Sequence, residues 1–244
     1  MKKIRSRQLL KTVCLVILGG LLVMGLAGCD VRKNSRAYLE GKAAELERVF
    51  PTENLEDLFE EFPGGFEFGS LYRIKNENGY SYTQSLEING NADTKNIQGV
   101  VKNLKTTDEP FYNQEILKES QFEYTDGQFK FENPEFEESD LAVDGFLIQY
   151  LTINKKMLSQ LELLDKSYSW ESEDGSISYQ LQDHSLNHFL QEENNKKAKI
   201  IIGIHYETIH ENKFKYGMRI KYDNNIKYTF GFSGYETIGK ENEE

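Results

Sequence analysis

Gln121-Phe122-Glu123-Tyr124-Thr125-Asp126-Gly127-Gln128-Phe129-Lys130-Phe131 decides the fold class of this chain. Asp126-Gly127 is a two-residue hairpin turn of the kind that takes positive φ, and residues 121–124 and 128–131 on either side read as antiparallel strands. The same punctuation recurs outward. Residues 71–74 and 80–88 flank Asn78-Gly79, Asn89-Gly90 closes the second run, and residues 97–104 add a third strand. Further on, residues 177–181 and 199–206 read as strands, and residues 214–222 and 226–232 meet at a turn at Asn224-Asn225.

Helical patterns are fewer. Leu39, Ala43, Leu46 and Phe50 recur at spacings of three and four until Pro51 stops them. Leu55, Leu58, Phe59 and Phe62 form one face of a second short helix, whose intervening acids are its wet side rather than a cation site. Residues 137–143 read as a short helix, residues 146–150 as a strand or a buried helical turn, and residues 156–164 and 185–193 as helices. The expected fold is α+β, an antiparallel sheet with a few helices packed on one side, in a single domain. No strand, glycine loop and helix follow one another as nucleotide binding requires, and no repeat of fixed period is visible.

The N-terminal segment gives an address. Lys2, Lys3, Arg5, Arg7 and Lys11 precede an apolar stretch over residues 13–23, the order of parts in an export signal. It ends on Leu26-Ala27-Gly28-Cys29, which resembles the lipobox of bacterial lipoproteins. The Cys29 thiol is the nucleophile that would take a diacylglyceryl group, and cleavage before it would leave Cys29 as the mature N-terminus. The rival reading is a transmembrane anchor, because residues 12–28 reach the lower limit of a span, roughly 17 residues. Four glycines and the terminal thiol weigh against it.

These readings divide the chain into a signal peptide at 1–28, a lipidated N-terminus and tether at 29–36, a domain at 37–240 and an acidic tail at 241–244. Removal of the leader takes five of the 29 basic residues and none of the 40 acidic ones, leaving a formal charge of −16. That charge argues against nucleic acid and against a domain lying flat on anionic lipid. Cys14 goes with the leader and Cys29 is used by the anchor, so no disulfide is expected. The seven residues after Cys29 reach only about 15 Å, which holds the domain near the outer leaflet of the cytoplasmic membrane, facing the cell exterior.

One resemblance covers the chain to about residue 190. Asn54-Leu55-Glu56-Asp57-Leu58 before a Gly-rich turn, the run at 146–150, and Tyr179-Gln180-Leu181 leading into the helix at 185–190 resemble, in that order, the staphylococcal tandem-type lipoprotein family, also called the conserved staphylococcal antigen family. The resemblance implies a Gram-positive, lipid-anchored protein with no established enzymatic activity, with relatives linked to host-cell entry and to immune recognition of the lipid end. Residues 191–197 are mixed in charge here, whereas the resemblance implies a more basic stretch, which puts a host-binding role for that stretch in doubt.

Candidate chemistry is sparse. His184 and His188 share a spacing that permits two imidazoles on one metal, yet no third ligand and no HExxH motif accompanies them. His205 and His210 fall at a strand end or turn. Gly231-Phe232-Ser233-Gly234 lacks one residue of a nucleophile elbow, and no pair of carboxylates stands out for glycosidase work. The chain is therefore expected to be non-enzymatic, with no metal and no cofactor beyond the covalent diacylglycerol on Cys29. A small-ligand carrier or a hydrolase is the alternative, which a deep apolar pocket with convergent polar groups would favour.

Partner binding has a compositional basis. Between Lys196 and Lys227 lie eight basic residues against Glu207, Glu211 and Asp223. Lys196, Lys197, Lys199, Lys213, Lys215, Arg219 and Lys221 are the candidate contacts to a polyanion or an acidic host or envelope macromolecule. The alternative is that these residues fill outward strand positions and pair with acids elsewhere.

Overall fold

The Ser35 side chain accepts a hydrogen bond from the Tyr38 backbone N–H at 3.2 Å and starts α1 (Arg36–Ala43), which tightens into a 3-10 turn at Ala44–Arg48. The periodic residues Leu39, Ala43 and Leu46 are buried along it, as their spacing predicts. The structure, a computed structural model, describes residues 32–236. The signal peptide, the lipobox with Cys29 and the tail at 241–244 lie outside the described residues.

A short 3-10 turn (Leu55–Asp57) runs into α2 (Leu58–Glu61), and then the strands begin. They are β1 (Phe66–Glu77), β2 (Tyr80–Gly90), β3 (Ile97–Thr107), β4 (Asn113–Thr125) and β5 (Gln128–Phe131). After α3 (Leu147–Tyr150) and α4 (Lys155–Gln160) come β6 (Glu162–Tyr168), β7 (Gly175–Leu181), α5 (His184–Phe189), β8 (Ala198–Ile204), α6 (Tyr206–His210), β9 (Phe214–Tyr222) and β10 (Asn225–Gly234). All ten strands form one antiparallel sheet in the order β5-β4-β3-β2-β1-β10-β9-β8-β7-β6. Two five-strand meanders thus meet where the first and last strands pair, from Phe66 opposite Gly234 to Tyr72 opposite Tyr228.

One face of the sheet carries the core. Phe66, Phe68, Phe230, Phe232, Tyr216 and Met218 are buried on it beneath the helices. Phe50 meets Phe230 edge-on at 5.5 Å, and Phe146 meets Phe68 at 5.7 Å and Tyr124 at 5.3 Å. Phe62 lies so close over Gly234 that any Cβ there would run into its ring. The other face is mostly partly exposed or exposed, with Thr83, Leu104 and Ser178 buried on it, and among the described residues no helix lies across it, although His205 and Glu207 reach it at Gly217 and Lys215 of β9.

The expected α+β fold is present, with local corrections. The last hairpin turns at Asp223-Asn224, φ 49° and 67°, one residue earlier than expected, because Tyr222 pairs directly with Asn225. β4 starts at Asn113, well before the expected 121, because its first five residues are exposed and carry no alternation to read. The helix expected over 156–164 stops at Gln160, and Leu164 belongs to the edge strand β6, where a bulge breaks the period. The expected helix at 137–143 is only a 3-10 turn at Glu138–Asp140, the helix at 185–193 ends at Phe189, and residues 146–150 resolve to a helical turn, α3. Residues 206–210 form α6 rather than a strand end, because Asp174 Oδ1 accepts from the Tyr206 N–H at 2.7 Å and turns the chain there.

Candidate interaction surfaces

Alternation along the strands separates the candidate cations instead of gathering them. Lys199 stands directly opposite Lys221 on the uncovered face, and Arg219 stands beside them opposite Ile201. Lys215 is on the same face opposite Ser233, and its ammonium donates to Glu207 at 2.7 Å, which holds that carboxyl below its usual range. Lys196 donates to Glu192 at 2.8 Å and lies 3.0 Å from Asp223, and these bonds raise its pKa. Lys213 pairs with Glu211 at 2.6 Å, and Lys197 is exposed before β8. Among the described residues Lys199, Arg219 and Lys221 enter no ion pair. Like charges facing one another across two strands are unfavourable by roughly 0.2–1 kcal/mol.

The opposite half of the same face is acidic. An open trough of about 580 Å³ runs over β1 to β4, lined by Glu67, Glu87, Glu123 and Glu132, with Gly69 and Gly231 in its floor. It is shallow and carboxylate-lined, unlike the enclosed apolar sites that hold small ligands. Ser233 lies inside β10 opposite Glu67, in extended strand rather than on a sharp turn.

The histidines are scattered. His184 and His188 are both exposed on α5, His205 caps α6, and His210 stacks on Tyr206 and pairs with Glu173 at 2.9 Å. Among the described residues no three His, Cys, Asp or Glu side chains converge as metal ligands, and no helix is long and apolar enough to cross a membrane. Two acids of the second short helix are occupied locally, Glu56 accepting from the Asp126 N–H at 3.0 Å and Glu61 pairing with Arg48 at 3.0 Å, while Glu53, Asp57 and Glu60 are exposed.

A third surface was not anticipated from the sequence. The β1–β2 and β3–β4 hairpins run past the helices as a wing, exposed on both faces over residues 74–77 and 113–117. At its end Phe111 is 82% exposed and Tyr112 67%, and Ile74, Tyr80, Ile116 and Leu117 add exposed apolar area on the same two hairpins. The available signal was two consecutive aromatics after Pro110, outside any strand pattern.

The wing lies far from where the described chain begins. Lys166 Nζ donates to the Asn34 carbonyl at 2.5 Å and Lys33 lies 3.4 Å from the Tyr168 hydroxyl, which fixes that start on β6 at the far edge of the sheet. Seven strand spacings separate β6 from β3, about 34 Å, and eight residues along β3 add about 26 Å. The chain start and the aromatic tip thus occupy opposite corners.

Comparison with protein-family models returns no match, and comparison with curated proteins returns none either.

Proposed function

We propose that this chain is a lipid-anchored protein of the cell envelope that binds a host or envelope macromolecule and does not transform it. The observation that carries this reading is the diagonal placement of the chain start and the exposed Phe111-Tyr112 tip. An anchor at Cys29, three residues before the described start, tethers the β6 corner to the bilayer, and the aromatic tip then faces away from it. Two aromatics held out on a turn are poised to bury apolar area against another molecule. The resemblance to the staphylococcal tandem-type lipoproteins supports the same class, and lipid-directed immune stimulation is part of it.

The test uses vesicles carrying the lipidated full chain, mixed with cultured epithelial cells and, separately, with purified cell-wall polymer. Wild-type vesicles should adhere to one of the two, and a Phe111→Ser/Tyr112→Ser variant should lose most of that adhesion. Equal adhesion by both would sink the tip as the contact. Adhesion by neither, with the lipid alone stimulating host cells, would move the function to the lipid.

A further inference from the structure

Gly69, Gly231, Gly217 and Gly203 stand side by side on four adjacent strands of the uncovered face, each opposite the next in register. Glycine inside a strand costs conformational entropy and packs nothing, and it often marks close approach of another body. Gly234 has an internal reason, the Phe62 ring above it. A Cβ built on Gly69, Gly203 or Gly231 meets only a backbone carbonyl at 3.6–4.0 Å, one on Gly217 lies 3.5 Å from the His205 imidazole, and none of the four has a positive φ. The sheet itself does not demand the row.

The charges of this face supply the occupant. Glu87 is exposed on β2, one step from Gly69 along the same row, while Arg219 and the His205 imidazole adjoin Gly217 on β9 and Lys215 beside them is held by Glu207. We propose that the chain forms a two-fold homodimer by packing the uncovered faces of two sheets together, with Glu87 of each copy seated in the notch at Gly217 of the other, against Arg219 and the His205 imidazole.

The sheet's own order dictates the pairing. β1 and β10 are its centre, so a two-fold axis parallel to the strands and between them lays β2 over β9 and β3 over β8 of the second copy. Along the glycine row, Gly69 then meets Gly231, Glu87 meets Gly217, and Val100 meets Gly203. Each larger side chain falls on a glycine, and Arg219, which enters no ion pair among the described residues, stands about 7 Å from the notch along β9. An axis perpendicular to the strands would instead set β2 on β2, carboxylate against carboxylate. The six central strands offer roughly 670 Å² per copy, or about 1,300 Å² in total, within the range of stable interfaces.

The same operator keeps both chain starts at one end of the dimer, as two anchors in a single bilayer require; that clause alone rests on the anchoring proposed above. The β3–β4 turn runs past the end of β8, so Phe111 and Tyr112 stay outside the contact.

The test is sedimentation equilibrium of the full chain in density-matched detergent. The wild type should have twice the mass of one chain. Glu87→Lys and Arg219→Glu should each raise the dimer dissociation constant about tenfold or more. An equimolar mixture of the two should form a heterodimer, because every Glu87 notch contact in it again joins opposite charges. Gly231→Leu, whose Cβ would have nothing nearer than the Tyr216 carbonyl at 4.0 Å within one sheet, should give a monomer with an unchanged circular-dichroism spectrum. A monomeric wild type, variants that dimerise as it does, or a mixture that stays monomeric would each overturn the proposal. So would a wild type that stays monomeric and binds polyglutamate through Arg219, which would make the cations a polyanion site.

Discussion

The Tyr222 hydroxyl donates to Asn187 Oδ1 at 2.6 Å, and Asn187 Nδ2 lies within 3.1 Å of the Glu193, Asn194 and Lys196 carbonyls. Asn187 is fully buried, and through these bonds it closes the loop that leads from α5 into β8. Leucine of similar size would strand the carbonyls and the hydroxyl together. A stranded buried polar group costs about 1–3 kcal/mol, whereas losing one neutral bond costs about 1. Asn187→Leu should therefore lower stability by about 3 kcal/mol and Tyr222→Phe by about 1 kcal/mol. Urea midpoints at constant m-value measure both, and equal losses would remove Asn187 as the organiser of the loop.

Four buried tyrosines make the fold sensitive to alkali. Burial raises the pKa of Tyr216, and the Glu45 carboxylate 3.0 Å away raises it further; burial and Glu40 do the same to Tyr179. Burial likewise raises Tyr222 and Tyr228. An unfolded tyrosine titrates near pH 10. Below that pH both states hold the proton and the contribution is intact. Above it the unfolded chain binds fewer protons than the folded one, so stability falls as pH rises. Tyrosinate absorbance should accordingly rise in two stages, first from exposed tyrosines and then with unfolding. A single rise near pH 10 with the fold intact would contradict this account.

The legible parts of this chain were those with a local physical signature. Asn78-Gly79 and Asp126-Gly127 take the positive φ that their residue types invite, and Leu39, Ala43 and Leu46 bury the stripe that their spacing draws. The start of β4 stayed hidden because its side chains face water on both sides, and β6 because a bulge after Leu163 puts its inward apolar residues, Leu163 and Tyr168, out of period. The basic segment was visible as composition, but register decides its use: Lys199 and Lys221 face each other while Lys196 and Lys213 are tied to acids. The glycine row is invisible along the chain, since Gly69 and Gly203 come together only when the first and last strands pair.

Two glycines of β10 should respond oppositely to the same substitution. Gly234 lies under the Phe62 ring, so Gly234→Ala overpacks the core and should cost about 1–3 kcal/mol. Gly231 faces out with nothing within 3.9 Å of a built Cβ, its nearest neighbour being the Tyr216 carbonyl at 4.0 Å. Gly231→Ala should leave the dilute chain unchanged or more stable by up to about 1 kcal/mol, since it restricts the unfolded state. Thermal unfolding at low protein concentration separates the two. A comparable loss for both would mean that the outer face is packed in the monomer.

The anchoring proposal reduces to one atom, the Cys29 sulfur. One acyl chain binds a membrane only marginally, whereas two hold it durably at about 0.8 kcal/mol per buried methylene. Among the described residues no apolar helix offers a second means of attachment, and the charge of −16 on residues 29–244 is repelled by anionic lipid. Cys29→Ala should therefore move the chain from the membrane fraction to the medium wherever its leader is still removed. Fractionation of cells expressing the variant, with the mature N-terminus read by mass spectrometry, makes the comparison. A leaderless Cys29→Ala chain that stays in the membrane fraction would mean that the folded domain holds the membrane itself, and the orientation argued for the Phe111-Tyr112 tip would fall with the anchor.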